Sequence, residues 1–235
     1  MSQVPDVASV IIPAYNEGSV IAACLEALVQ EASAAERPLR LEIVVAANGC
    51  TDDTVARCRA FAEVTVLDLP VGNKSAALNA ADAMTEVFPR IYLDADVVLS
   101  PGTLAALVSA LSTPAPRMAA PSAEYVLDDA SWPVRAFHRV FTQLPYAESS
   151  LGGVGVYAVS AAGRARWDRF PDVHGDDLYV QRQFSAGERL RVPGSARVKA
   201  PKTVGSLVAV RTRIARGNQT LARVGAETGH ANLGS

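Results

Sequence analysis

Asp94 and Asp96 stand one residue apart, directly after the apolar run Ile91-Tyr92-Leu93. Carboxylates this close repel each other unless a cation or hydrogen-bond donors neutralise them. Their hard oxygens suit magnesium or manganese, which one or two carboxylates bind together with substrate phosphates. The same spacing also suits a solvated Asx turn leaving a strand. Lys74 follows Gly72-Asn73 at the start of a predicted helix, where the helix end attracts anions and a lysine adds a point charge. A plain surface lysine is the alternative. Asp176-Asp177 follows Gly175 and opens another predicted helix. One of the two could accept a proton from a hydroxyl, or both could serve the helix dipole alone; spacing does not choose.

Other chemistries lose support. There is no Walker A lysine motif, and Gly152-Gly-Val-Gly lacks the dinucleotide-binding spacing. No His-Glu-X-X-His, paired Cys-X-X-Cys or Gly-X-Ser-X-Gly pattern occurs, which argues against zinc and against a hydrolase elbow. Lone histidines (His138, His174, His230) carry no assignment, although His174 precedes the Gly-Asp-Asp segment.

The elements that must position these residues follow from periodicity. Short apolar runs at 7–12, 41–45, 64–67 and 91–93 read as buried strands. Between and after them lie helical patterns at 18–30, from Thr51 or Asp52 to about 62, at 74–88 with Asn73 as cap, and from Pro101 to Leu111. Strands alternating with helices predict βαβ units, hence an α/β fold with a mostly parallel central sheet and helices on both faces. Ligands in such a sheet sit beyond the carboxyl ends of the strands. Tyr15-Asn16-Glu17, Asn48-Gly49 and Asp94-Ala95-Asp96 all end strands on that edge. Further on, 118–126 and 152–159 read as strands, and 132–144, 176–186 and 203–224 as helices.

These residues together resemble family 2 glycosyltransferases. Val10-Ile-Ile-Pro-Ala-Tyr-Asn-Glu17 is similar to the family's opening strand motif, and Asn48-Gly-Cys-Thr-Asp-Asp-Thr54 falls at its second strand. Gly72-Asn-Lys-Ser-Ala-Ala-Leu-Asn79, Tyr92-Leu-Asp-Ala-Asp96 and Gly175-Asp-Asp-Leu-Tyr-Val-Gln-Arg182 resemble its next three, in the same order, over about residues 7–185. The resemblance implies a GT-A (Rossmann-like) fold and transfer of a sugar, with inversion, from a nucleotide-diphosphate donor to an acceptor hydroxyl. It implies that Pro13, Ala14, Tyr15 and Glu17 border the base and ribose, and that Asn48 faces the base. Lys74 and the Asp94-Ala95-Asp96 turn would lie at the nucleotide sugar, with Asp96 and Asp94 at Mg2+ or Mn2+. Asp177, with Asp176 as the other candidate, would be the general base. Asn48 stands where the family usually has Asp, so the donor's base stays open; Asp176 stands where Glu is common. The family's processive Gln-X-X-Arg-Trp motif is missing, so a membrane-embedded polymerising synthase is not expected. The alternatives are a nucleotidyltransferase of related fold and a non-catalytic nucleotide-sugar-binding protein.

The chain has 235 residues, 49% hydrophobic and 20% charged, enough for one large domain with a sizeable core. One domain over 1–235 is expected, with a nucleotide-sugar-binding half at 7–112, an acceptor-binding half at 113–186 and a basic C-terminal helical appendage at 187–235. Three cysteines exclude a disulfide framework and fit a reducing cytosol. No signal-peptide pattern or transmembrane run is read, so a cytoplasmic protein is expected.

The net charge of −2 hides two halves: residues 182–223 carry +9, and residues 1–181 carry −10. No nucleic-acid partner is expected. The basic segment has three readings: a solvated helix face, a lid bringing Arg211, Arg213 or Arg216 to the donor pyrophosphate, or peripheral contact with an anionic membrane surface.

Overall fold

The computed structural model describes residues 7–34, 39–144, 151–173 and 175–227. Its strands are β1 (Val7–Ala14), β2 (Arg40–Asn48), β3 (Val64–Leu69), β4 (Arg90–Leu93), β5 (Val98–Leu99), β6 (Met118–Val126), β7 (Val156–Val159) and β8 (Arg189–Lys199). They form one sheet in the order β3-β2-β1-β4-β7-β6-β8-β5. β3, β2, β1 and β4 are mutually parallel and β6 is parallel to β8, whereas β7 runs against β4 and β6, and β5 against β8. The sheet is therefore mostly parallel, as the βαβ pattern predicted.

The central strands β1, β2 and β4 are buried on both faces because both faces are covered there. Val10, Ile12, Ile43, Val45, Ile91 and Leu93 enter one core with Ile21, Leu25 and Leu28 of α1 (Ile21–Ala34) and Leu104 and Leu107 of the later helix Thr103–Leu111. The alternate residues Ile11, Val44, Ala46 and Tyr92 enter a second core on the opposite face, with Ala77, Leu78 and Ala81 of Lys74–Asp82. The strand period of two thus splits each run between two cores.

The first-half helices appear where expected, some shorter. They are α1, α2 (Thr54–Cys58), α3 (Lys74–Asp82) and α4 (Thr103–Leu111). Asn73 caps α3 as predicted, its side chain accepting from the Ala76 amide. The expected run to Phe88 instead stops at Asp82, which is buried and held by Arg90, Arg164 and the Tyr92 hydroxyl. α4 begins after Pro101-Gly102, and Glu31 of α1 accepts from the Leu104 amide at 2.7 Å, linking the two helices.

In the second half, α5 (Trp132–Phe141), α6 (Ala161–Arg164), α7 (Asp176–Gln181) and α8 (Val204–Glu227) complete the described α-helices, and a short 3-10 turn, Ala186–Glu188, precedes β8. α5 and α7 end before Leu144 and Ala186, their expected limits. One expectation is corrected. Residues 187–235 are not helical throughout, because Arg189–Lys199 is strand β8, inside the sheet between β6 and β5. Leu190, Val192, Ala196 and Val198 of β8 face the first core. Pro193-Gly194 is absorbed by a register shift opposite Ala120 and Ser122. Gly194 has φ +95°, and a Cβ there would meet the Thr103 side chain.

Candidate functional site

The carboxyl ends of β1, β2 and β4 open on one edge, as the switch-point rule requires. β1–β4 pairing stops at Ile11 with Tyr92, so Pro13 and Ala14 extend past it along β2 alone. Both are buried. Tyr15 then turns outward, 57% exposed, with its ring edge against the backbone of Gly72. Asn16 takes a left-handed conformation (φ 54°), and its side-chain oxygen accepts from the Thr51 amide at 2.8 Å. Asp52 joins the β1 and β2 loops from the other side, accepting from the Gly18 amide at 3.0 Å and from Thr54.

Asn48 is buried, and its side-chain amide donates to the carbonyls of Ala14 (2.8 Å) and Ala46 (3.2 Å). Its NH2 group thus fastens the ends of β1 and β2. An aspartate, which only accepts, could not make those bonds.

Lys74 is the centre of the site. Its ammonium lies 2.8 Å from Asp94 Oδ1 and 2.9 Å from Asp176 Oδ1. Burial opposes its charge, but the two carboxylates outweigh that and raise its pKa. Asp94 is fixed through its backbone as well, its amide donating to the Gly155 carbonyl at 2.7 Å. Gly155 has φ +73°, and a Cβ there would strike Val97 and approach Asp94, so only glycine lets the chain pass so close. Asp96 is exposed beyond buried Ala95. Burial of its surroundings and then Asp94 push its carboxyl up, while Lys74 and Lys199 oppose the rise. Burial, then Asp96, Asp94 and Asp52, raise the Glu17 carboxyl to about 7.

Such crowding is what a bound cation relieves. The donor set is hard oxygen from one turn, which fits Mg2+ or Mn2+ completed by phosphate oxygens. Among the described residues, no group of three or more His, Cys, Asp or Glu could hold a metal ion unaided.

Asp176 and Asp177, inseparable by spacing, differ in their surroundings. Asp176 is buried and occupied on both oxygens, by Lys74 on Oδ1 and by the Tyr157 hydroxyl on Oδ2 at 3.0 Å. Asp177 is half-buried. Its Oδ1 accepts from the Leu178 amide at 2.8 Å, and its Oδ2 from the Gly153 amide. Burial, then the neighbouring Asp176, raise the Asp177 carboxyl against those two amides and Lys74. Gln181, one turn on, accepts from the amides of Leu151 and Gly152 at 3.0 Å each, so α7 holds the glycine loop from both ends.

Tyr157, Gly153, Gly155 and Gln181 escaped the sequence reading. The Gly152-Gly-Val-Gly run was the available signal, read there as the opening of a strand. In the basic segment, Arg211 lies over the rings of Phe141 (4.8 Å) and Phe137 (5.9 Å), and it is Lys199, at the end of β8, whose charge reaches Asp96. His174 and His230 lie outside the described residues, and His138 is buried in the α5 region.

Comparisons with known proteins agree with this geometry. The family model described as glycosyl transferase family 2 matches residues 9–168. No curated protein matches the chain. Among solved structures, the mannosyltransferase PcManGT from Pyrobaculum calidifontis, in complex with GDP-Man and Mn2+, is 24% identical with a TM-score of 0.69. That match covers 94% of this chain and 65% of the other. Glucosyl-3-phosphoglycerate synthase from Mycobacterium tuberculosis, with Mn2+, UDP-glucose and phosphoglyceric acid, is 19% identical over 97% of this chain and 81% of its own, TM-score 0.62. S. aureus TarS 1-349 with UDP is 17% identical over 82% and 60%, TM-score 0.58. The chain therefore spans under two thirds of PcManGT and TarS, and the likeness is one of fold, the expected GT-A architecture.

Proposed function

The chain belongs to glycosyl transferase family 2, and from that premise we propose that it moves a sugar from a nucleoside diphosphate donor to an acceptor hydroxyl with inversion. One observation carries the reading. Lys74 bridges Asp94, at the end of β4, to Asp176, at the start of α7, and so brings the donor-side and acceptor-side carboxylates to one place. Residues 7–112 serve as the donor half and 113–186 as the acceptor half of a single domain.

In this reading Tyr15 and Glu17 border the nucleoside. Asn48 shapes the pocket floor by tying Ala14 to Ala46 and leaves the base unspecified. Asp96, with Asp94, would hold Mg2+ or Mn2+; Mn2+ is the ion present with two of the related structures. When bound, that ion supplies positive charge for the diphosphate leaving group. Lys74 holds Asp94 and Asp176 at fixed spacing and adds a point charge beside the donor. Asp177 takes the proton of the acceptor hydroxyl while the new bond from that oxygen to the anomeric carbon forms and the bond to the diphosphate oxygen breaks. Its raised pKa suits a base, and Asp176, more buried, ion-paired to Lys74 and accepting from the Tyr157 hydroxyl, is the positioning partner.

The test is a panel of nucleoside diphosphates and nucleotide sugars, with and without Mn2+, read by thermal shift and then by nucleoside diphosphate release. Stabilisation that needs both donor and cation is expected, followed by release of the diphosphate. Release of pyrophosphate from a nucleoside triphosphate would overturn the reading in favour of a nucleotidyltransferase. Failure of every nucleotide to bind would overturn it altogether.

A further inference from the structure

The helix pair α5 and α8 leaves large apolar side chains in water on the side away from the sheet. The two helices run side by side in the same direction. The Ser131 amide donates to the Lys202 carbonyl at 2.9 Å, Val134 packs with Leu207, and Arg211 covers Phe137 and Phe141. Helical spacing puts Trp132, Ala136 and Val140 on one stripe of α5, and Val204 and Val208 on one stripe of α8. The Val204–Val208 stripe borders the α5–α8 seam, and the Trp132–Val140 stripe lies opposite the buried Val134 and His138. Trp132 is 78% exposed, Val140 62%, Val204 48% and Val208 57%.

Within α5 and residues 204–221 of α8 the charge has one sign, whereas Asp128 and Asp129 precede α5 and Asp129 is paired with Lys202 at 3.0 Å. Residues 132–144 and 204–221 contain Arg135, Arg139, Arg211, Arg213 and Arg216 and no acidic residue. Arg139 falls on the Trp132 side and Arg216 at the margin of the Val204–Val208 stripe, with Arg211 on the seam between. Apolar and aromatic side chains rimmed by arginine are the pattern of a helix lying in a lipid headgroup region. A second copy docked on the same face would bring the two sets of arginines together, which repulsion disfavours.

We infer that the α5–α8 face docks on an anionic lipid surface, with Trp132, Val204 and Val208 entering the headgroup boundary and Arg139, Arg211 and Arg216 meeting the lipid phosphates. The occupant is a bilayer rather than a spanning position, because no described helix is long and apolar enough to cross one. The same α8 reaches the site: a Cβ on Gly175 would lie 3.4 Å from Leu221 Cδ1. Docking would therefore bring the Asp176–Asp177 end of the cleft near the lipid surface. The inference is independent of the reaction proposed above.

The full chain is mixed with phosphatidylglycerol-containing vesicles and with neutral phosphatidylcholine vesicles at low salt, and sedimented. Binding to the anionic vesicles, release by high salt and a blue shift of Trp132 emission are expected; Trp167, the other tryptophan, is buried and reports little. Trp132→Ser with Val208→Ser should weaken sedimentation with the anionic vesicles, and Val208→Ser alone should reduce the shift. Arg139→Glu with Arg216→Glu should weaken partitioning by at least tenfold, since each arginine at such a surface contributes roughly fivefold. All four side chains are exposed, so the melting temperature should hold in both variants. Equal binding to neutral vesicles, undiminished binding by both variants, or no sedimentation of the wild-type chain would overturn the inference. So would a dimer that Trp132→Ser dissociates and that ignores vesicles.

Discussion

Tyr157 donates its phenolic hydrogen to Asp176 Oδ2 across 3.0 Å, in the buried heart of the second core. Burial and the adjacent Asp176 keep that phenol protonated far above its ordinary range. Its ring also stacks on Tyr92, centroids 4.9 Å apart. Tyr157→Phe keeps the stack and leaves the buried carboxylate oxygen without its donor. A loss of about 1–3 kcal/mol in urea unfolding is expected, with a fall in turnover that the unchanged core packing would not by itself produce.

Asp177→Asn should lower turnover by about a hundredfold to ten-thousandfold, the range of a lost general base. Donor affinity by calorimetry should stay near that of the wild type. Normal turnover in this variant would move the base elsewhere.

Removing Lys74 frees Asp94 and Asp176 at once. In Lys74→Met, donor affinity should fall about tenfold, since one point charge near a diphosphate is lost. The stability loss should be about 1–3 kcal/mol, because the buried Asp176 carboxylate, 10% exposed, loses a partner, while the half-exposed pair with Asp94 adds little. Calorimetric titration and thermal melting separate the two effects.

Asp82, at the end of α3, is a buried ion-pair centre. Its carboxylate, 5% exposed, holds the guanidinium groups of Arg90 and Arg164 and the Tyr92 hydroxyl. Asp82→Ala leaves Arg90, itself 5% exposed, without a counter-ion and should cost about 3–5 kcal/mol in urea unfolding.

Acid sensitivity should trace partly to Glu188. Arg166 grips both of its oxygens, at 2.6 and 2.9 Å, and that pairing, with the Ser185 amide, lowers its carboxyl to about 2. A depressed folded-state pKa stabilises the fold fully above the ordinary value of 4.5, and the contribution fades as pH falls from there towards about 2. Arg166→Met should flatten the stability-versus-pH curve in that window and leave the shape near neutrality unchanged.

Periodicity and strand-end chemistry were enough to read the parallel half of the sheet, the Asn73 cap and the convergence of Tyr15, Asn48 and Asp94 on one edge. These features depend on neighbours in sequence: strands that alternate between two buried faces, a cap three residues from the amide it accepts, turns that follow apolar runs. Three matters needed the tertiary structure. β8 was hidden because Pro193-Gly194 breaks an alternating run, and only β6 beside it, with a register shift, shows that the break is a bulge. Asp176 and Asp177 are equivalent by composition. Tyr157 and Lys74, nineteen and 102 residues earlier in the chain, occupy one and leave the other to the glycine loop. The destination of the basic tail was open among three readings, and helix packing put Arg211 over the Phe137 and Phe141 rings of α5. A side chain's type and spacing set what chemistry it can do. Which partner it meets depends on long-range contacts that no local pattern encodes.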